Sequence, residues 1–138
     1  FRGITPLIAA VIEGNLTCVD YLFKRGASLT HQCEGGWNAL HCAVQCGHDD
    51  IVNYLLRHGC FVNCKDWDGD TALHWAVRES NFRIAQMLLD QPGIAIDSCN
   101  DHQESPLHLA AALDETQIGL LLLSRGASPN QIDACGET

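Results

Sequence analysis

Three apolar residues set the rhythm of this chain: Leu7, Ala10 and Val11 return as Leu40, Ala43 and Val44, and again as Leu73, Ala76 and Val77. Their i, i+3, i+4 spacing draws one stripe along a helix, and the alanines let a neighbouring helix come close. Thr5, Asn38, Thr71 and Ser105 stand just ahead of these stripes. Each has a side-chain oxygen that can accept an unpaired N–H of the first helical turn. Pro6 and Pro106 come next in two copies, at the position where a missing N–H matters least. Gly14 and Gly47 close the first two of these helices, while Ser80 and Asp114 hold the same place later. That exchange predicts stiffer or reshaped turns there.

A second apolar stripe follows each first one. It reads Val19, Leu22, Phe23; then Val52, Leu55, Leu56; then Ala85, Leu88, Leu89; then Ile118, Leu122, Leu123. Lys24, Arg25, Arg57 and Arg125 fall in its last turn, where the helix dipole favours cations. Gly26, Gly59, Gly93 and Gly126 end it. Between one pair of helices and the next, Gly35-Gly36, Asp68-Gly69 and Cys135-Gly136 signal a tight hairpin turn. His102-Gln103 has no glycine in that place, which predicts a hairpin of different shape.

The unit recurs at a nearly fixed distance. From Thr5 to Asn38, Thr71 and Ser105 the steps are 33, 33 and 34 residues, and Thr138 lies another 33 on. One extra residue near Gln91-Pro92-Gly93 accounts for the longer step. The cores are Thr5-Pro6-Leu7-Ile8-Ala9-Ala10, Asn38-Ala39-Leu40-His41-Cys42-Ala43, Thr71-Ala72-Leu73-His74-Trp75-Ala76 and Ser105-Pro106-Leu107-His108-Leu109-Ala110. In period and in this T-P-L-H-x-A core the chain resembles the ankyrin-repeat family, over nearly all its length.

The resemblance implies an all-α ankyrin-repeat solenoid, built of helix-turn-helix units with protruding β-hairpin fingers. Repeats are expected at about 1–33, 34–66, 67–100 and 101–133, with the start of a further one at 134–138. It also implies a structural role for His41, His74 and His108, bonding backbone between finger and helix. Ile8 replaces that histidine in the first copy, so the first finger is expected to be looser. Leu120 stands where Asp20, Asn53 and Gln86 are polar. A closing repeat needs a polar outer face, so further repeats or another domain are expected beyond residue 138.

Composition removes several function classes. Of the 138 residues 46% are hydrophobic, and 17 acidic against 8 basic side chains leave a net charge of −9. That balance opposes nucleic-acid binding, which needs a basic footprint, and docking on an anionic membrane surface. The longest apolar run, Ile118 to Leu123, is far too short to span a bilayer. The eight cysteines, Cys18, Cys33, Cys42, Cys46, Cys60, Cys64, Cys99 and Cys135, occupy different places in each repeat. This argues against a disulfide framework and for a reducing, intracellular setting, cytoplasmic or nuclear.

Catalytic chemistry finds no footing: no nucleophile elbow, phosphate loop or H-E-x-x-H pair is present. No cofactor is expected. Cys42 and Cys46 face one way on a helix, a weak metal signal without a matched C-x-x-C pair. The resemblance implies that partners are contacted through finger tips and the ends of the first helices, on the concave face. Those positions are Arg2, Ile4, Ile12 and Glu13; Glu34, Trp37, Gln45 and Cys46; Trp67, Asp68, Asp70, Arg78 and Glu79; and Asp101, His102, Glu104, Ala112 and Leu113. Acids dominate, and Trp37 and Trp67 sit on turn-rich segments. An aromatic anchor with acids around it suits a partner protein or peptide bearing Lys or Arg and an apolar residue. The plainer reading has the tryptophans packing on neighbouring fingers and the acids conferring solubility. Two other classes stay open: a nucleotide or polyphosphate stacked on Trp37 or Trp67, and a cysteine-based metal or redox sensor.

Overall fold

The computed structural model describes residues 2–132. Within them eight α-helices come in consecutive pairs: α1 (Pro6–Ile12) with α2 (Leu16–Lys24), α3 (Ala39–Cys46) with α4 (Asp49–Arg57), α5 (Ala72–Arg78) with α6 (Phe82–Leu89), and α7 (Pro106–Ala112) with α8 (Thr116–Ser124). The first helices, α1, α3, α5 and α7, stack in one row and the second helices in another. The predicted stripes form the core: Leu7, Val11, Leu40, Val44, Leu73 and Val77 from one row, Val19, Val52, Leu55, Ala85, Leu88 and Leu122 from the other. Helices of the first row meet more extensively than those of the second, which makes the finger side the inside of the curve. Among the described residues no helix is long and apolar enough to cross a membrane.

Each first helix begins as its cap residue dictates. Thr5 Oγ1 accepts from Ile8 N at 3.2 Å, and Asn38 Oδ1 accepts from His41 N at 3.0 Å. The histidines complete the cap and reach onward. His41 Nδ1 accepts the Asn38 N–H at 3.2 Å, while Nε2 donates to the Asp70 carbonyl of the next unit at 3.3 Å. His74 repeats this with the Thr71 N–H at 3.1 Å and the Glu104 carbonyl at 3.0 Å. Both rings are buried. Removal from water holds both below the usual imidazole range, so the neutral ring, acceptor on one side and donor on the other, is the form that fits. Their structural role, implied by the resemblance, is what the geometry shows.

The turns between paired helices are uniform. Ser80 and Asp114 take the left-handed conformation, φ 55° and 60°, that Gly14 and Gly47 adopt at 74° and 72°. Behind each the same closing bond forms, from Asn15 N to Ala10 O, His48 N to Ala43 O, Asn81 N to Ala76 O and Glu115 N to Ala110 O. The predicted reshaping does not occur. Two side chains carry left-handed strain instead, because helix packing on both sides leaves the turn one shape.

The fingers are tight turns, and no β-strand occurs among the described residues. Each finger has one cross-pair: Cys33 N to Trp37 O at 2.8 Å, Asp66 N to Asp70 O at 2.9 Å, and Asn100 N to Glu104 O at 3.0 Å. The fourth finger therefore matches the third, with Gln103 at φ 62° where Gly69 has 78°, against the expectation from its missing glycine. The reason is local. Asn100 Oδ1 accepts from His102 N and Glu104 N, as Asp66 Oδ1 does from Asp68 N and Asp70 N. One backbone bond links each tip to the one before: Glu34 N to Arg2 O, Trp67 N to Gly35 O, Asp101 N to Asp68 O. The first finger is further tied by His31 Nε2 to Gly3 O at 2.8 Å and Arg2 N to Glu34 Oε2 at 2.9 Å, which replaces the tie Ile8 cannot make.

Candidate functional site

The finger side gathers the predicted contact residues into two strips, one along the tips and one along the ends of the first helices. At the tips, Glu34, Trp67, Asp68, Asp101 and His102 are exposed and Arg2 and Ile4 accompany them. Trp67 is 72% exposed. Its ring lies across the second finger so closely that a Cβ on Gly36 would sit 2.5 Å from Trp67 Cδ1. Asp101 lies over Gly69 in the same way, with 2.6 Å to Oδ1. A glycine at this point of the finger is therefore what lets the next tip close down on it.

Along the helix ends run Glu13, Gln45, Arg78, Glu79, Ala112 and Leu113, all exposed, with Ile12 and Cys46 half-buried between them. Burial first, and then the charges of Glu79 and Glu13, push the Cys46 thiol up, so these three units bring acids from α1 and α5 around the end of α3. Cys42, one turn deeper, is pushed up to about 12 by burial and then by its neighbours Cys33 and Cys46. A thiol held that firmly protonated is a poor nucleophile and a poor ligand. Among the described residues no group of three or more His, Cys, Asp or Glu could hold a metal ion. Cys135 lies outside them, as does the whole expected start at 134–138.

Between the strips sits a constellation that sequence reading only half found. Trp37 and Trp75 meet with ring centroids 4.5 Å apart, tilted by 55°. Trp75 Nε1 donates to Asp66 Oδ2 at 2.9 Å. The Arg78 guanidinium lies 5.8 Å from the centre of the Trp75 ring and donates to Asp70 Oδ2 at 3.1 Å, and Asn100 Nδ2 donates to Asp70 Oδ1 at 2.9 Å. Asp70 is only 3% exposed. Its carboxylate braces two units and does not face a partner, which corrects its expected place on the contact surface. Trp37 and Glu104 are half-buried, and Glu104 Oε2 also accepts from Asn100 Nδ2 at 3.2 Å.

Trp75 was missed because it falls inside the repeat core, where a fold requirement is the simplest explanation, and Asp66 because it lies just ahead of the finger tip at Trp67 and Asp68. The available signal was positional. Trp75 stands where the other copies carry Ala9, Cys42 and Leu109, so the fold itself does not demand an indole.

The family model described as ankyrin repeats (3 copies) matches residues 2–66 and 60–133. The chain belongs to the ankyrin-repeat family. Among its relatives are the Target of rapamycin complex 2 subunit AVO2 of Saccharomyces cerevisiae, 32% identical over 94% of this chain and 31% of its own length. The mouse Nuclear factor NF-kappa-B p105 subunit is 32% identical over 92% of the chain and 14% of that protein. The human Ankyrin repeat and SOCS box protein 16 is 33% identical over 80% and 24%. This ankyrin array thus spans under a third of the length of these three relatives. Ankyrin repeats are non-catalytic modules that mediate protein–protein interaction.

Proposed function

We propose that the finger side of this array holds a partner protein or peptide bearing a Lys or Arg and an apolar anchor. The observation that carries the proposal is Trp67, a large aromatic left 72% exposed at a finger tip, with Asp68 beside it in sequence and Asp101 bonded to the Asp68 carbonyl. Burying an indole of this kind under a partner is the usual core of a binding hot spot, and a stiff scaffold lowers the ordering cost. Arg78 already takes the Trp75 face and the Asp70 carboxylate, so a partner's cation is directed to Glu34, Asp68 and Asp101 instead. Glu13, Gln45, Glu79, His102 and Leu113 form the outer part of the same surface. The array acts as a scaffold without catalysis of its own, in an intracellular, cytoplasmic or nuclear, setting consistent with its scattered thiols.

The test uses labelled peptides that combine basic residues with a Leu or Phe, and acidic counterparts, read by fluorescence anisotropy at low and high salt. Trp67→Ala is expected to weaken the basic peptides at least tenfold, in keeping with a hot-spot aromatic, and salt to weaken them further. Binding indifferent to both changes would overturn the proposal.

A further inference from the structure

We infer that the C-terminal ends of α2 and α4 form a second docking surface, one that takes an acidic segment of a partner protein carrying an apolar residue. Its cations are Arg25 and Arg57, and its exposed aromatic side chains are Tyr21 and Phe61. None of these residues lies in either finger-side strip, so the inference does not depend on the binding proposal.

The second helices end differently from unit to unit. Lys24 and Arg25 close the first, Arg57 and His58 the second, Asp90 and Gln91 the third, Ser124 and Arg125 the fourth. A helix dipole favours cations there, yet α6 ends without any, so the fold does not demand them. Elsewhere the cations are committed. Arg125 binds Asp90 at 2.6 Å, Arg83 binds Asp49 at 3.5 Å, and Lys65 donates to the Cys99 carbonyl at 2.7 Å. Lys24 is paired with Asp20 at 2.8 Å. Arg57, by contrast, is exposed and its side chain has no partner among the described residues. Arg25 is exposed and gives one bond to Tyr21 Oη at 3.0 Å, its guanidinium 5.0 Å from the centre of that ring. A guanidinium has five N–H donors, so most of them stay available. In a chain of net charge −9, two such arginines on neighbouring helix ends reverse the local sign.

Rings supply the apolar part. Phe23 meets His58 edge-on with centroids 5.0 Å apart and Tyr54 at 6.2 Å, and His58 stacks on Tyr54 at 4.0 Å. Tyr54 Oη donates to Asp20 Oδ1 at 2.8 Å, and His58 Nδ1 donates to the Tyr54 carbonyl at 2.8 Å. The two helix ends are thereby fixed against each other. Asp20 is committed to Lys24 and Tyr54, so it does not neutralise the arginines. Tyr21 is 58% exposed, and Phe61, in the loop that closes α4, is 63% exposed. Aromatic side chains beside arginine are the composition that protein interfaces favour.

Charge and spacing select the occupant. Packed helices stand about 10 Å apart, so the ends bearing Arg25 and Arg57 suit carboxylates about three residues apart on an extended chain, at about 3.3 Å per residue. An apolar side chain between them would lie on the exposed rings. A nucleic acid fits poorly, because the 17 acidic residues of the chain repel it and two exposed arginines are a small basic footprint.

The test titrates a labelled peptide, with two Glu spaced in this way and a Phe between them, against the array and reads fluorescence anisotropy. A copy with Gln for each Glu is the comparison. The Glu peptide is expected to bind at least about tenfold more tightly, in keeping with hydrogen bonds between charged groups. Arg25→Gln/Arg57→Gln should remove that advantage, and the charge-keeping Arg25→Lys/Arg57→Lys only part of it, with circular dichroism showing each chain equally folded. Trp67→Ala should leave the Glu peptide unaffected. Equal binding of the two peptides, indifference to Arg25→Gln/Arg57→Gln, or loss on Trp67→Ala would overturn the inference. So would a single-stranded oligonucleotide bound as tightly as the Glu peptide, or self-association in sedimentation that Arg25→Gln/Arg57→Gln disperses, since a polyanion or a second copy would then be the occupant.

Discussion

Replacing Trp75 by Phe isolates the brace between the second and third units. The change removes the N–H that Asp66 Oδ2 accepts at 2.9 Å, while Asp66 Oδ1 keeps its bonds from Asp68 N and Asp70 N. Asp66 is buried, so water is poorly placed to substitute. A hydrogen bond to a charged group is worth about 1.5–3 kcal/mol. The smaller ring also loses part of its contact with Trp37, in a class of pair worth about 0.5–1.5 kcal/mol. Because Phe retains much of that contact, the sum expected is about 2–3 kcal/mol. With a urea m-value of about 1–3 kcal/mol/M, the midpoint should fall by roughly 1 M. Trp67→Phe is the control, since an exposed indole should change stability by no more than about 0.5 kcal/mol. A Trp75→Phe shift no larger than that control would refute the reasoning and show that the Asp66 carboxylate is satisfied without the indole.

Two further outcomes follow from the backbone and the histidines. Gln103→Gly should stabilise the array by about 0.5–1 kcal/mol, because a left-handed residue with a side chain costs about 1–2 kcal/mol and the extra freedom of unfolded glycine offsets about 0.4–1 kcal/mol of the gain; thermal unfolding measures it. Burial lowers the folded pKa of His41 and His74 below their unfolded value, near 6.5. Between those values the unfolded chain binds more protons, so stability rises with pH. It should be complete above about pH 6.5 and be lost as pH falls toward the folded values. Urea midpoints between pH 7.5 and 5.5 that stay level would contradict this, and a His41→Gln/His74→Gln chain should show a smaller drop than the parent.

The repeat, the helix pairs and most of the core were legible because each depends on local chemistry. Caps at Thr5, Asn38 and Ser105 work through bonds to residues three positions on, and the apolar stripes need only helical periodicity. Contact candidates such as Glu13, Trp67 and Asp101 were legible as positions, since the repeat assigns every residue a place in the unit. Whether such a place faces water depends on what the neighbouring unit brings to it. Asp70 was read as a contact residue and is buried, because Asn100 and Arg78 converge on it from different elements.

Tertiary structure also decided the shapes that residue type misjudged. Ser80, Gln103 and Asp114 lack the freedom of glycine, yet each adopts the left-handed turn, because packed helices or side-chain caps on either side hold the backbone there. The coupling of Trp37 with Trp75 joins residues from two units, and no local spacing in the sequence announces it. Periodicity alone determines how one unit folds, since its forces act over a turn of helix. Which side chains become surface or brace is decided only when units stack, because desolvation and hydrogen-bond satisfaction belong to the interface between them.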